Sequence, residues 1–281
     1  MYDAASLSKV ATYQRAVGEL RVALRRRGAA TVIKNLRQVG CLKVRFPRGD
    51  DAEWLDVAMI NLSGGVAGGD QLDIGFDVGA GARVSLAAQA AERFYRVLPG
   101  TEPARLRAAV SVAADGAAEW LPQESILYNR CKLDRVLDVS LARNARFLGL
   151  EMLVFGRAAM GERVEQADIS DTIRVRRDGR IILWDAIRIQ GDAGRILARP
   201  AVANGARAVA TLVMVAPDVD AWRDPLRAVL ARAPAETGSS CWDGMLVVRA
   251  LAESGAALRA TMTSALALLR PKRALPRVWM C

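Results

Sequence analysis

Asn61-Leu-Ser-Gly-Gly-Val-Ala-Gly-Gly-Asp70-Gln-Leu72 places Gly64, Gly65, Gly68 and Gly69 between two apolar runs and ends in a single carboxylate. Glycine accepts positive φ and lets another backbone or a ligand come close, so the stretch reads as a tight, bent connection: a phosphate cradle, a cation path or a turn. The phosphate reading fails on the residues that follow. A P-loop runs from its last glycine into Lys and Ser/Thr, and a dinucleotide loop opens a helix, whereas Gly69 is followed by Asp70 and Gln71. Beyond them Leu72, Ile74, Phe76 and Val78 alternate with Asp73, Gly75 and Asp77, the period of a half-buried strand. The loop joins strand to strand, and the chain around it reads as sheet.

Working outward, residues 18–24 place Leu20, Val22 and Leu24 on one face, and residues 42–46 repeat the pattern before Pro47 stops it. Further strands are expected at 83–87, 106–112, 133–139, 180–184, 209–215 and 245–251. The stretches 78–84, 112–118 and 141–147 align as strand end, turn and strand start, with Gly81, Asp115 and Asn144 in register. All three residue types tolerate left-handed backbone. A recurrence of about thirty residues, which also aligns Gln89 with Gln123, predicts stacked β units in a coiled, helix-like sheet.

Helices gather toward the C-terminus. Asp224-Pro225 reads as an N-cap followed by Pro at the first helical position, with Leu226, Val229 and Leu230 as the apolar stripe. Ser254 is placed to cap a second helix, in which Leu258, Met262, Leu266 and Leu269 recur before Pro271. No Pro/Ser/Gly linker divides the chain, so a single unit over 1–281 is expected: β-rich from 15 to 215, mixed helix and strand from 220 to 270, and a basic tail from 271 to 281.

The 281 residues are 52% hydrophobic and 25% charged, ample for a buried core. No apolar run is long enough to cross a membrane as a helix, and the first residues lack a basic and apolar leader, so a cytoplasmic location is expected. Cys41, Cys131, Cys241 and Cys281 lie far apart without a C-x-x-C pair, which points to free thiols rather than a disulfide framework or a zinc site. Forty Lys and Arg against thirty Asp and Glu give a net charge of +10, which favours acidic partners without choosing among them. A basic nucleic-acid-binding β protein, encouraged by Arg25-Arg26-Arg27, is the alternative, but the few aromatics are not interleaved with the basic residues as stacking platforms would be.

The chain contains no histidine. Ser-His-Asp and Cys-His catalysis and imidazole metal sites are therefore excluded within it, and a permanent tight site for nickel, copper or zinc is not expected. A thiol enzyme at Cys41, Cys131 or Cys241 would lack its histidine base.

Four other stretches carry candidate groups. Residues 88–96 set Gln89, Glu92, Arg93, Tyr95 and Arg96 after a strand; Trp120-Leu-Pro-Gln-Glu124 breaks a strand at Pro122; residues 155–162 offer Arg157 and Glu162 around two glycines; and the tail from Arg270 carries Leu275, Val278 and Trp279, enough apolar area to dock on the fold or on a partner. Taken in order, Asn61–Asp70, Gln89–Arg96, Trp120–Glu124, Phe155–Glu162, Ala198-Arg-Pro200 and the Pro-Arg-Val-Trp-Met-Cys ending resemble the urease accessory protein UreD (UreH) family over nearly the whole chain.

That resemblance implies a non-enzymatic maturation factor, mostly β, that binds the accessory protein UreF. UreF in turn recruits the GTPase UreG, and the complex engages apo-urease so that nickel reaches its active site. A water-filled route for the ion through this protein is also implied. Such a conduit has to admit a divalent ion and release it again, which spaced carboxylates, carbonyls and water do better than a His/Cys cage. Asp70, with Glu124 and Glu162 next, is the candidate lining, and Arg157, Arg270 and Trp279 are candidates for partner contact. Ni2+ would be a transient passenger rather than a bound cofactor. For Glu162 a structural ion pair with Arg157 or Arg163 competes with the route.

Overall fold

The structure, a computed structural model, describes residues 14–49, 51–271 and 273–280. The expectation for Cys281 lies outside the described residues. In chain order the strands are β1 (Val17–Arg27), β2 (Ala30–Gly40), β3 (Leu42–Arg45), β4 (Trp54–Asn61), β5 (Gln71–Val78), β6 (Arg83–Ala88), β7 (Glu92–Phe94), β8 (Ala104–Val112) and β9 (Ala117–Leu121). They continue as β10 (Ser125–Leu127), β11 (Lys132–Leu141), β12 (Arg146–Phe155), β13 (Gln166–Arg177), β14 (Arg180–Asp192), β15 (Ala208–Val215), β16 (Glu236–Trp242) and β17 (Met245–Ala252). The helices are α1 (Ala193–Ala198), α2 (Asp220–Leu230) and α3 (Gly255–Leu269), with 3-10 turns at Ala158–Met160 and Arg277–Met280.

Two sheets face each other. The first has seven strands in the order β14-β13-β11-β8-β5-β1-β2, and the second has ten, with β16-β17-β15-β12-β9-β6-β4-β3 as its path. The inner strands of the first sheet (β1, β5, β8, β11, β13) run parallel, as do β4, β6, β9 and β12 of the second. The chain climbs by alternating between them: β5 to β6, β8 to β9, β11 to β12. This is the coiled, stacked sheet that the repeat predicts, and the aligned turns are the corners where the chain passes from one sheet to the other. Gly81 (φ 65°) and Asp115 (φ 59°) take the left-handed conformation at two of these corners; Asn144 does not share it.

Burial explains why each strand has its residue pattern. The first sheet packs on one face only, so β1 alternates Leu20, Val22 and Leu24 inside with Glu19 and Arg21 outside. The second sheet is covered on both faces, and β12 is therefore apolar almost throughout, with Phe147, Leu153 and Phe155 toward the first sheet and Leu148, Leu150 and Met152 toward the helices. α3 closes that second core through Leu258, Met262, Leu266 and Leu269. Ser254 caps it as expected, its Oγ accepting from the Ala257 N–H at 3.2 Å.

One helix start differs from expectation. α2 begins at Asp220, five residues early, so Pro225 lies inside the helix and Asp224 pairs with Arg223 at 2.9 Å instead of capping. Pro225 forgoes one intrahelical hydrogen bond, a local cost offset by packing Val219 and Trp222 of the extra upstream turn on the second core. Among the described residues no helix is long and apolar enough to cross a membrane.

Candidate functional site

The glycine loop forms by close approach. A Cβ on Gly65, whose φ is 151°, would lie 2.5 Å from the Tyr95 ring, and a Cβ on Gly68 would lie 2.5 Å from Val97 Cγ1. Between them Val66 pairs with β7: its N–H donates to the Arg93 carbonyl at 2.7 Å, and its carbonyl accepts from the Tyr95 N–H at 2.9 Å. Tyr95 also donates its hydroxyl to the Gly64 carbonyl at 2.8 Å, so the loop is stitched to the next turn of the coil.

Asp70 is buried beneath this loop. One carboxylate oxygen accepts from the Ala16 N–H and the other from the Ala67 N–H, each at 2.8 Å. Both oxygens are thus engaged by backbone donors, and the side chain ties the entry of β1 to the loop. Asp70→Ala would strand two N–H groups, each costing about 1–3 kcal/mol. The expected outcome in denaturant unfolding is a loss of that order; an unchanged midpoint would contradict the fastening role.

The other sequence candidates are likewise held by protein groups. Glu124 receives Arg259 Nε at 2.6 Å and Nη2 at 2.7 Å at the strand break that Pro122 makes between β9 and β10. Glu162 pairs with Arg157 at 2.7 Å, the structural alternative considered for it. Burial would raise the Glu162 carboxyl, but Arg157 and the Asn129 N–H more than offset this and hold it below its ordinary value. Arg157 in turn lies over the Tyr128 ring, 4.2 Å from its centroid. None of Asp70, Glu124 and Glu162 lines the cavity between the sheets.

Arg270 and Trp279, expected to meet a partner, are buried within the chain. Arg270 donates from Nε to both oxygens of buried Glu119 at 3.1 Å and from Nη1 to the Ala274 carbonyl; the Trp279 indole N–H donates to the Leu121 carbonyl at 3.0 Å. Their correction has one cause: the tail folds back over the second sheet, where Glu119 needs a countercharge and the apolar side chains need cover. The partner expectation moves off these two residues.

What the structure brings together instead is a row of polar side chains in the core. Arg135, on the inward face of β11, donates from Nε and Nη2 to the two oxygens of Asp171 at 2.8 and 2.6 Å, its register partner on β13. Its Nη1 reaches Glu151 at 2.8 Å and the Ser125 hydroxyl at 2.8 Å. Glu151 stands opposite on β12, facing the first sheet, and also accepts from the Trp120 indole N–H at 2.8 Å. Its register neighbours are Thr211 on β15 and, next, Arg249 on β17. Asp185, inward on β14, accepts from Thr211 Oγ1 at 3.2 Å and from Arg249.

Two voids adjoin this row. A cavity of about 210 Å³ between the sheets runs from Asn61, Gln89 and Glu92 past Trp120 to Arg135 and Glu151. A narrow pocket of about 10 Å³, room for roughly one water, lies among Glu151, Asp171, Asp185 and Thr211. At the far end the Arg249 side chain is 52% exposed. Three carboxylates, Glu151, Asp171 and Asp185, therefore face two guanidinium groups, Arg135 and Arg249, along the row.

Burial raises the Glu151 carboxyl above its ordinary value, against the opposing pull of Arg135, and the nearby Asp171 adds to the rise. Arg135 shows the converse: burial opposes its charge, yet Asp171 and Glu151 outweigh it and raise its pKa. At the cavity mouth burial also raises Glu92, which accepts from Asn61 Nδ2 at 3.1 Å.

Glu151, Asp171, Asp185 and Arg135 were not singled out from the sequence, although each left a signal: a charge occupying an inward slot of an otherwise apolar strand, as in Leu133-x-Arg135-x-Leu137 and Leu150-Glu151-Met152. Among the described residues no group of three His, Cys, Asp or Glu is placed to hold a metal ion. Among the described residues the thiols are held protonated by their surroundings. Burial pushes Cys131 up to about 12 and also raises Cys41 and Cys241.

The fold is thus a histidine-free β coil with a row of paired charges held between its two sheets. The chain belongs to the UreD urease accessory protein family, whose model matches residues 16–280. It is 40% identical over 266 residues to urease accessory protein UreD 1 of a Bradyrhizobium species, covering 95% of this chain and 94% of that relative. It is also 40% identical over 275 residues to UreD of Xanthobacter autotrophicus, with 98% and 93% covered, and 40% identical over 267 residues to UreD of Dinoroseobacter shibae, with 95% and 92% covered. Urease accessory proteins of this family are maturation factors, not enzymes.

Proposed function

We propose that the protein acts in urease maturation by binding UreF, and through it UreG, and by passing Ni2+ to apo-urease along the polar row between its sheets. The observation that carries this reading is the succession of side chains along the row: Glu151 lines both the cavity that reaches Asn61 and Glu92 and the narrow pocket walled by Asp171, Thr211 and Asp185, and Asp185 meets half-exposed Arg249. Nickel is cargo here, held by no permanent site. A row of oxygen ligands offset by guanidinium groups attracts a divalent ion weakly enough to let it leave, which a conduit requires. The absence of histidine serves the same end, because imidazole would hold nickel tightly.

The basic surplus gives less support to a nucleic-acid role. On the outer face of the first sheet several cations are met by acids, with Arg21 to Asp73 at 2.8 Å, Arg37 to Glu19 at 3.0 Å and Arg107 to Asp134 at 2.5 Å. Co-expression of the accessory proteins with urease tests the transit reading. Glu151→Gln together with Asp185→Asn keeps the shape of the row while removing two charges. The complex with UreF is expected to persist while nickel per urease falls several-fold; full nickel loading would remove the row from the route.

A further inference from the structure

We propose that a second, basic groove, separate from the inter-sheet cavity, is a docking site for an acidic segment of a partner polypeptide. It encloses about 270 Å³ between the chain after β7 and the starts of β11 and β13, and its polar walls are Arg96, Arg130, Lys132 and Asp168, with Leu98 and Pro99 beside them. The inference goes beyond nickel transit and does not depend on it.

The groove is built rather than incidental. Arg130 is held in the left-handed conformation at φ 65°, uncommon for a residue with a long side chain. Its N–H donates to the Gln166 carbonyl at 2.7 Å, and its carbonyl accepts from the Val97 N–H at 2.9 Å, so its backbone joins the two walls. Lys132 Nζ reaches the Thr101 carbonyl at 3.4 Å, and Asp168 accepts from the Gly191 N–H at 3.3 Å. Beneath them Cys131 and Ala167 form a closed apolar floor.

Charge selects the occupant. Three cations face one carboxylate, and among the described residues neither Arg96 nor Arg130 forms an ion pair, whereas Arg21 and Arg107 of the neighbouring outer sheet face pair with Asp73 and Asp134. A carboxylate entering between the two guanidinium groups would make charge-assisted hydrogen bonds. Leu98, 46% exposed at the rim, offers an apolar contact beside it. The fitting ligand is therefore an extended Asp/Glu-bearing segment with an apolar residue next to the acid. A polynucleotide fits less well, because the cations are confined to one recess and no aromatic side chain lines it to stack a base.

The test uses the full chain in its complex with UreF, UreG and apo-urease. A photo-activated benzoylphenylalanine replaces Leu98, the complex is irradiated, and the captured peptide is sequenced by mass spectrometry. Capture of one acidic segment is expected, with the yield falling at least tenfold in Arg96→Glu/Arg130→Asn, asparagine being chosen because it tolerates positive φ. Reversing an acid of the captured segment to Arg should restore the yield with Arg96→Glu. If the double variant does not fold, Arg96→Gln, which alters one exposed guanidinium, gives the same reading. Capture of a segment without acids, capture of nucleic acid, no capture, or a yield indifferent to Arg96 and Arg130 would each overturn the proposal.

Discussion

Replacing Arg135 by Met is expected to destabilise the protein by about 3–5 kcal/mol, because it leaves Glu151 and Asp171 buried without their countercharge. Such a loss is a large share of the stability of a typical domain, so the variant should aggregate on expression or unfold at much lower denaturant. Removing the acids as well is expected to reverse most of the loss. Removing one partner of a buried ion pair strands a charge, whereas neutralising the partners as well leaves only amides, whose burial costs far less than that of an unpaired carboxylate. Arg135→Met/Glu151→Gln/Asp171→Asn should therefore fold while delivering little nickel. Equilibrium unfolding of the single and triple variants checks the first part, and a single variant that loses less than about 1 kcal/mol would contradict the burial argument.

A similarly large effect is expected at the tail. Trp279→Ala should cost about 3–5 kcal/mol, the usual range for truncating a buried aromatic side chain. Trp279 is only 6% exposed, its N–H satisfies the Leu121 carbonyl, and its ring lies 5.2 Å below Arg259, which also holds Glu124 and Gln123. Gln123 in turn donates to the Val278 and Gln89 carbonyls, so one side chain pins the tail to the turn beside the cavity mouth. Amide hydrogen exchange is the sharper readout. The variant should lose protection at 277–280 and around Gln123 before the inner strands change; uniform loss across the chain would contradict a local clamp.

Much of the fold was legible in the sequence because one-sided burial leaves a period of two. β1, β5, β8 and β11 each carry it, and the recurring turns at Gly81 and Asp115 gave the stacking. β12 was missed for the opposite reason: covered by the first sheet on one face and by α3 on the other, it reads as a continuous apolar run without alternation. β2 was missed because it is an edge strand, with Ile33, Leu36 and Val39 all more than one-third exposed, so neither face marks it as sheet. The start of α2 shifted because Val219 and Trp222, upstream of Asp224, pack on the second core, and that tertiary burial overrode the Asp-Pro signal.

The candidate site was less legible. Glycine and proline breaks drew attention to Asp70, Glu124 and Glu162, and each proved to lie at a break as read, yet those breaks create backbone donors and nearby arginines that occupy the carboxylates. The acids beside the voids, Glu151, Asp171 and Asp185, lie in the middle of regular strands. Their grouping depends on register between strands distant in sequence, Arg135 opposite Asp171 and Glu151 opposite Thr211, which no local pattern encodes.

The most direct test of passage between the sheets leaves every carboxylate in place and closes the space. Ala108, on the inward face of β8, lines the cavity of about 210 Å³, which has room for a larger side chain. Ala108→Phe is matured with UreF, UreG and urease in cells grown with nickel, and nickel per urease active site is measured by elemental analysis. Transit through the interior predicts a folded variant that still binds UreF and yields urease with several-fold less nickel; urease loaded to the wild-type level, with the phenyl ring seen filling the cavity, would contradict it.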